Sequence, residues 1–225
     1  MNVLDPQPIS VAARELGPPA LSIIVPTFNE APNVAEFLRR IEASLKDIPW
    51  EVVFVDDDSP DGTANAVRSI AQRDARVRCI QRIGRRGLSS ACIEGVLATA
   101  APYVAVMDAD LQHDERILPE MLDRLRDENL DIVVGSRYVQ GGGLGTWQSD
   151  RAAMSRFATR LSRLVVRADL KDPMSGFFMM RRDAFMAAAR RLSSLGFKIL
   201  LDIFASAPAP LKFKEVPYEF RTRFA

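Results

Sequence analysis

Five short, mostly apolar runs recur along the chain: LSIIV at residues 21–25, EVVFV at 51–55, VRCIQ at 77–81, YVAVM at 103–107 and DIVVG at 131–135. Between them lie stretches with helical periodicity near 31–47, 61–74, 87–100 and 114–128. The runs are too short for buried helices, are rich in β-branched residues, and mostly lack the alternation of a strand with one wet face. Strands of that kind must be covered on both sides. The βαβα order therefore predicts an α/β fold, a mainly parallel sheet with helices on both faces.

Residues 1–20 carry Pro6, Pro8, Pro18 and Pro19 and no sustained period, so they read as a poorly ordered leader. The remainder, 21–225, reads as a single domain, since 225 residues at 48% hydrophobic content support one sizeable core. Lysine and arginine number 30 against 29 acidic residues, which excludes a general attraction to nucleic acid and leaves anions to local arginines. Cys79 and Cys92 form no CxxC pair and no apolar signal peptide opens the chain, which together imply a cytoplasmic protein without a disulfide scaffold. No apolar run reaches the roughly 20 residues that cross a bilayer. Contact with a membrane surface stays open. Past Gly135 the regularity fades into a glycine-rich loop, a basic helix at about 150–168, a short GFFMM segment, and helices near 182–193 and 198–206. There is no internal repeat.

Open α/β sheets bind ligands at the carboxyl ends of their strands. Here those ends carry polar clusters: PTFNE at 26–30, DDDSPDGT at 56–63, DADLQH at 108–113 and GSRY at 135–138. A turn with a helix cap, Asp61 or Ser59 accepting from free amides, explains DDDSPDGT as well as a ligand site does. DADLQH asks for more. Capping needs one carboxylate, whereas Asp108 and Asp110 place two together, a pattern that suits a divalent cation completed by phosphate oxygens. No GxGxxG follows the first strand, and GGGLG at 141–145 has the wrong spacing, which argues against a dinucleotide dehydrogenase.

The series VPTFNE, VDDDSPDGT, RIGRRGLSSA, MDADLQH, GSRY, DPMSGFF and GFKILLDI, in that order, resembles the family 2 glycosyltransferases, and among them the dolichol-phosphate mannosyltransferase-like group. The resemblance implies a GT-A type nucleotide-sugar-binding fold, with about 21–136 as the donor half and 137–225 as the acceptor half. It implies that Pro26, Phe28, Glu30, Val55 and Asp57 contact the nucleotide sugar, Asp57 by accepting from the base's ring N–H. Phe28 stands where the family usually has tyrosine, and Arg85 where relatives carry lysine, a planar fork in place of a point charge. Asp110 and Gln112, with Asp108 through metal or ribose, are the implied ligands of Mg²⁺ or Mn²⁺. Arg137, Arg151, Arg223 and more weakly Ser155 match positions that hold the acceptor phosphate. Asp110 and Arg137 are thus the implied catalytic residues. His113 is expected to cap the next helix rather than act as a base, because a polyprenyl phosphate already offers an anionic oxygen.

The implied reaction is metal-dependent, inverting transfer of a hexose, mannose before others, from GDP-mannose to a polyprenyl phosphate. Two alternatives remain: the same chemistry with a UDP-glucose-type donor or a soluble glycan or protein acceptor, and a nucleotide-binding module without turnover. The segment 154–167 sets Arg156, Arg160, Arg163 and Arg167 against apolar residues. That pattern suits peripheral contact with an anionic membrane and equally a core-packed helix with a basic outer face.

Overall fold

A computed structural model of the chain describes residues 17–140, 142–143, 169–196 and 198–222. The expected strands are present as β1 (Leu21–Thr27), β2 (Trp50–Asp56), β3 (Val77–Gln81), β4 (Tyr103–Val106) and β5 (Ile132–Ser136). The helices between them are α1 (Val34–Ser44), α2 (Thr63–Ala71), α3 (Leu88–Leu97) and, after a short 3-10 helix at Glu115–Ile117, α4 (Leu118–Asp127). Two strands were not anticipated, β6 (Phe178–Arg181) and β7 (Phe213–Pro217); α5 (Arg182–Ala189) and α6 (Ile199–Ser206) lie between them. The seven strands form one sheet in the order β3-β2-β1-β4-β6-β5-β7. Only β6 runs antiparallel to its neighbours, β4 and β5.

Both faces of the sheet are covered, as the unbroken apolar runs require. One face packs Phe37 and Ile41 of α1, Val67 of α2 and Met121 and Leu125 of α4; the other packs Cys92 and Val96 of α3, Phe185 of α5 and Ile203 of α6. Helix α3 lies so close to the sheet that a Cβ on Gly95 would fall 2.3 Å from Cγ2 of Ile24, so only glycine fits there. Strand order reverses between β1 and β4, which opens a crevice at their carboxyl ends.

Pro26, inside the central strand β1, is tolerated for the same reason. Residues 24 and 26 direct their backbone polar groups toward β4, where Ile24 accepts from Met107 N–H at 3.2 Å, but the β4 ladder ends at Val106. The N–H that proline lacks would have pointed into the crevice rather than into a neighbouring strand.

Candidate active site

The DADLQH segment leaves β4 and folds back on itself. Asp108 N–H donates to His113 Nδ1 at 3.2 Å, Asp110 accepts from Gln112 N–H at 3.1 Å, and Leu111 sits between them at φ +62°. A buried leucine in the left-handed region is strained. What holds the loop there is His113, stacked on Phe177 at 5.1 Å and flanked edge-on by Tyr218 and Phe220. Burial first, then the charge of Arg137, pushes its pKa down to about 3, so the ring is neutral, with its proton on Nε2. The expectation that His113 caps a helix is corrected. Asp114 does so, accepting from Arg116 N–H at 3.1 Å, while His113 braces the Asp108 loop.

Asp108 is half-buried at the floor of the crevice. Its carboxyl is pushed up to about 7, by desolvation and then by the charges of Asp110 and Glu30, with Arg137 pulling the other way. Gly176, from the DPMSGFF segment, lies beside it, and a Cβ there would come within 3.1 Å of Asp108 Oδ2. The pair is thus crowded by like charge, and Asp108 keeps 38% of its side chain open to solvent. That is the donor set a hard divalent cation would stabilise, and it needs further oxygens from a ligand, because among the described residues no group of three or more His, Cys, Asp or Glu side chains could hold a metal. Gln112 donates its side-chain amide to the Arg221 carbonyl at 3.1 Å, which leaves Oε1 as the atom it can offer a cation.

Around the first two strand ends the turn reading holds for most of DDDSPDGT. Asp56 accepts from Ser59 N–H and Oγ–H, at 3.0 and 2.6 Å, and Asp61 accepts from Thr63 and from Ala31 N–H. Ser59 Oγ and Thr63 Oγ1 in turn accept from Asn29 and Glu30 N–H, at 2.9 and 3.0 Å, tying the β1 loop to the β2 loop. Asp58 takes Gln81 Nε2–H at 3.0 Å. Asp57 faces the β3–α3 loop, where Oδ2 accepts from Gly87 N–H at 2.7 Å and Oδ1 lies 2.8 Å from Arg82 Nε. That second contact is an ion pair without a hydrogen bond, since neither atom finds its hydrogen-bond geometry. Arg82 is fully buried and also reaches Ser90 Oγ and the Gly87 carbonyl.

Two donor-side expectations change. Arg85 turns outward into a bidentate pair with Glu94, at 2.8 and 3.0 Å, and it is Arg86 whose guanidinium lies 4.2 Å above the exposed ring of Phe28. Val55 is fully buried in the core between the sheet and α3, so its side chain cannot touch a ligand. Pro26 and Glu30 do lie at the crevice, Glu30 close enough to raise the pKa of Asp108.

At the opposite end of the rim Arg137 follows β5. Its guanidinium is gripped by Asp172 at 2.8 Å through both Nε and Nη2, and its backbone N–H adds a bond of 3.2 Å to the same carboxylate. Ser175 Oγ–H, donating to the Gly135 carbonyl at 2.7 Å, pins the segment that carries Asp172. Arg151, Ser155 and Arg223, and the segment 154–167, lie outside the described residues. Arg82, Arg86 and Asp172 were not singled out from the sequence. Arg82 and Arg86 stood in view in RIGRRGL, but nothing local distinguishes a buried arginine from an exposed one.

A mainly parallel sheet with a carboxylate pair in its switch-point crevice, lined by an aromatic ring and basic side chains, defines a GT-A-like glycosyltransferase domain. The chain belongs to glycosyl transferase family 2, whose family model matches residues 22–187. It is 37% identical over 205 residues to the dolichol-phosphate mannosyltransferase of Pyrococcus furiosus, covering 90% of this chain and 57% of that one. With the enzyme of the same name from Saccharomyces cerevisiae it shares 35% identity over 211 residues, 90% of this chain and 78% of the yeast protein. The chain therefore spans little more than half the length of the Pyrococcus relative. Among solved structures the fold is similar to glucosyl-3-phosphoglycerate synthase from Mycobacterium tuberculosis in complex with Mn²⁺, UDP and glucosyl-3-phosphoglycerate, with a TM-score of 0.65 at 16% identity over 95% of this chain and 74% of that one. Mannosyl-3-phosphoglycerate synthase from Rubrobacter xylanophilus gives 0.63 at 21% identity, over 94% and 69%.

Proposed function

We propose that this domain transfers mannose from GDP-mannose to the phosphate of a polyprenyl lipid, with inversion at the sugar carbon. The observation that carries the proposal is the like-charged Asp108 and Asp110 pair in the crevice between β1 and β4, with Asp57 on its donor side and Arg137 on the other. Identity of 35–37% to dolichol-phosphate mannosyltransferases supports mannose as the transferred sugar and a polyprenyl phosphate as the acceptor. Asp108, Asp110 and Gln112 would hold Mg²⁺ or Mn²⁺, which supplies charge neutralisation for the departing diphosphate. Asp57, fixed by Gly87 and Arg82, accepts from the ring N–H of the base, and Phe28 with Arg86 flanks it. Arg137 orients the acceptor phosphate, with Arg151 and Arg223 as further cations of the acceptor half and Ser155 as a weaker contact. The acceptor's own anionic oxygen attacks in line, so no protein base is needed, in keeping with a neutral, caged His113.

Among the described residues no helix is long and apolar enough to cross a membrane. Access to a lipid acceptor then calls for contact with the bilayer surface, for which the basic 154–167 segment is suited. A second reading keeps the site but takes a UDP-sugar and a soluble acceptor, and it is favoured by the UDP and glucosyl-3-phosphoglycerate bound to the mycobacterial neighbour. Incubating the chain with polyprenyl phosphate and radiolabelled GDP-mannose or UDP-glucose, with and without EDTA, separates the readings. Metal-dependent label in the lipid phase from GDP-mannose is expected. Label from UDP-glucose alone overturns the donor, nucleoside diphosphate release without lipid label overturns the acceptor, and no release at all removes the catalytic reading.

A further inference from the structure

We propose that a cleft between α1 and the 3-10 helix before α4 is a second anion site, built for a phosphate-type oxyanion and separate from the crevice. It has a volume of about 590 Å³ and is lined by Arg39, Arg40, Arg116, Arg221 and Glu115; of these only Arg221, through its backbone carbonyl on Gln112, also touches the crevice side described above. Four guanidinium groups meet there with three carboxylates, and the carboxylates are oversubscribed. Glu36 accepts from Arg39 (2.7 and 2.6 Å) and from Arg40 Nε (2.7 Å). Asp114 accepts from Arg116 (2.7 and 2.6 Å) and from Arg221 Nη2 (2.7 Å), whose Nη1 reaches Glu115 at 2.7 Å.

The charges are also layered. Side chains of Arg39 and Arg116 are 67% and 72% exposed, whereas those of Asp114 and Glu115 are 9% and 10% exposed. Asp114 and Glu115 thus lie beneath Arg116, while Glu36 and Arg40 are exposed alike at 24% and 22%. Arg40, half-buried in the wall, uses only Nε, so the paired Nη donors of its fork are left for a ligand. A planar fork beside other guanidinium groups matches the oxygens of a phosphate, which can belong to a free anion or to a lipid headgroup.

The cleft lies apart from the transfer reaction and is tested without it. The chain is titrated calorimetrically with inorganic phosphate in EDTA, so that no cation recruits the anion to Asp108 and Asp110. In parallel it is floated with vesicles of equimolar phosphatidylcholine and phosphatidylglycerol. Each lost charge-assisted contact is expected to lower affinity about tenfold, so Arg39→Gln with Arg40→Gln, and separately Arg116→Gln, should weaken phosphate binding. Both variants should keep the circular dichroism of the parent and its affinity for GDP with Mg²⁺. Weakened flotation in the same variants, with no heat from free phosphate, assigns the site to a lipid headgroup; heat from free phosphate without any change in flotation assigns it to a soluble anion. If neither probe distinguishes the variants from the parent, or if GDP affinity falls in step, the cleft is not a separate site.

Discussion

Two buried ion pairs stand at opposite ends of the crevice, and they face opposite ways. In the donor-side pair Arg82 is hidden, 1% exposed, and the carboxylate of Asp57 is the outer member at 11%. In the pair beside β5 the order is reversed: Asp172 is 1% exposed and Arg137 is the outer member at 14%. The buried partner in each case orients the outer one. The crevice thus offers a hydrogen-bond acceptor at one end and a cation at the other. The two pairs also differ in rigidity. Arg137 and Asp172 form two parallel bonds of 2.8 Å, whereas Arg82 spreads its donors over Ser90 and the Gly87 carbonyl and meets Asp57 off axis.

Asp110 lies between the pairs and belongs to neither, so its removal should give the largest loss of activity with the least loss of stability. Metal-type charge neutralisation contributes several kcal/mol to a departing diphosphate, so Asp110→Ala should lower transfer by about a thousandfold or more. The loop that carries it is braced independently by His113, so a melting temperature close to that of the parent is expected. Transfer by Asp110→Ala within about tenfold of the parent would remove the cation from the comparison.

Breaking the Arg137 pair should affect both properties. Loss of one phosphate contact costs about 1.5–3 kcal/mol, a tenfold to hundredfold fall in kcat/KM for lipid acceptor. Leaving Asp172 buried and unpaired costs a further 3–5 kcal/mol of stability, so Arg137→Met should also unfold at lower denaturant concentration. The double variant Arg137→Met with Asp172→Asn separates the two effects. Recovery of stability without recovery of transfer places Arg137 on the ligand; recovery of both makes the pair a scaffold element only.

The parts of this arrangement that were legible in the sequence are those governed by local pattern. Strands β1 to β5 were readable because burial on both faces leaves little room for polar residues, and DADLQH stood out because a buried strand ended on two carboxylates. Strand β6 was read only as GFFMM, for its place between β4 and β5 is fixed by packing across the sheet, and β7, FKEVP, has the mixed polarity of an edge. The same limit applies to the site. Asp56, Asp57 and Asp58 are one letter repeated, and only the loop bonds to Ser59, Gly87 and Gln81 give each its task. Asp172 is 35 positions from Arg137, and Arg221 is 109 from Gln112, so no spacing rule connects them.

On the donor side the expected effect is intermediate. Asp57→Asn keeps the shape, removes the charge that Arg82 compensates, and replaces one acceptor oxygen by an NH₂ donor. Affinity for GDP, measured by calorimetry with Mg²⁺ present, should fall about tenfold, consistent with one charged hydrogen bond. The turnover number at saturating donor should change little, because the contact is remote from the transferred sugar. A fall in turnover at unchanged affinity would mean that Asp57 serves the loop and not the base.

The smallest effects are expected at the two neighbouring arginines of RIGRRGL, and they sharpen the donor end of the comparison. Arg85 is 62% exposed and fully engaged by Glu94, a surface pair of the kind that contributes about 0–1 kcal/mol. Arg85→Ala should therefore change GDP affinity by less than about threefold. Arg86 stands over Phe28, and a guanidinium on an exposed ring is worth about 0.5–1 kcal/mol in its own right. With a base beside Phe28, Arg86→Ala loses that stacking partner and a positive charge, and a fall in affinity of about twofold to fivefold is expected. The test is the order rather than the size: both variants are titrated with GDP, and Phe28→Leu is titrated beside them. If Arg86→Ala and Phe28→Leu weaken binding alike and their double variant is no worse than either, ring and guanidinium act as one unit on the base. If Arg85→Ala proves the more damaging, the Arg85 fork leaves Glu94 when nucleotide binds, and the lysine position of the relatives keeps its role here.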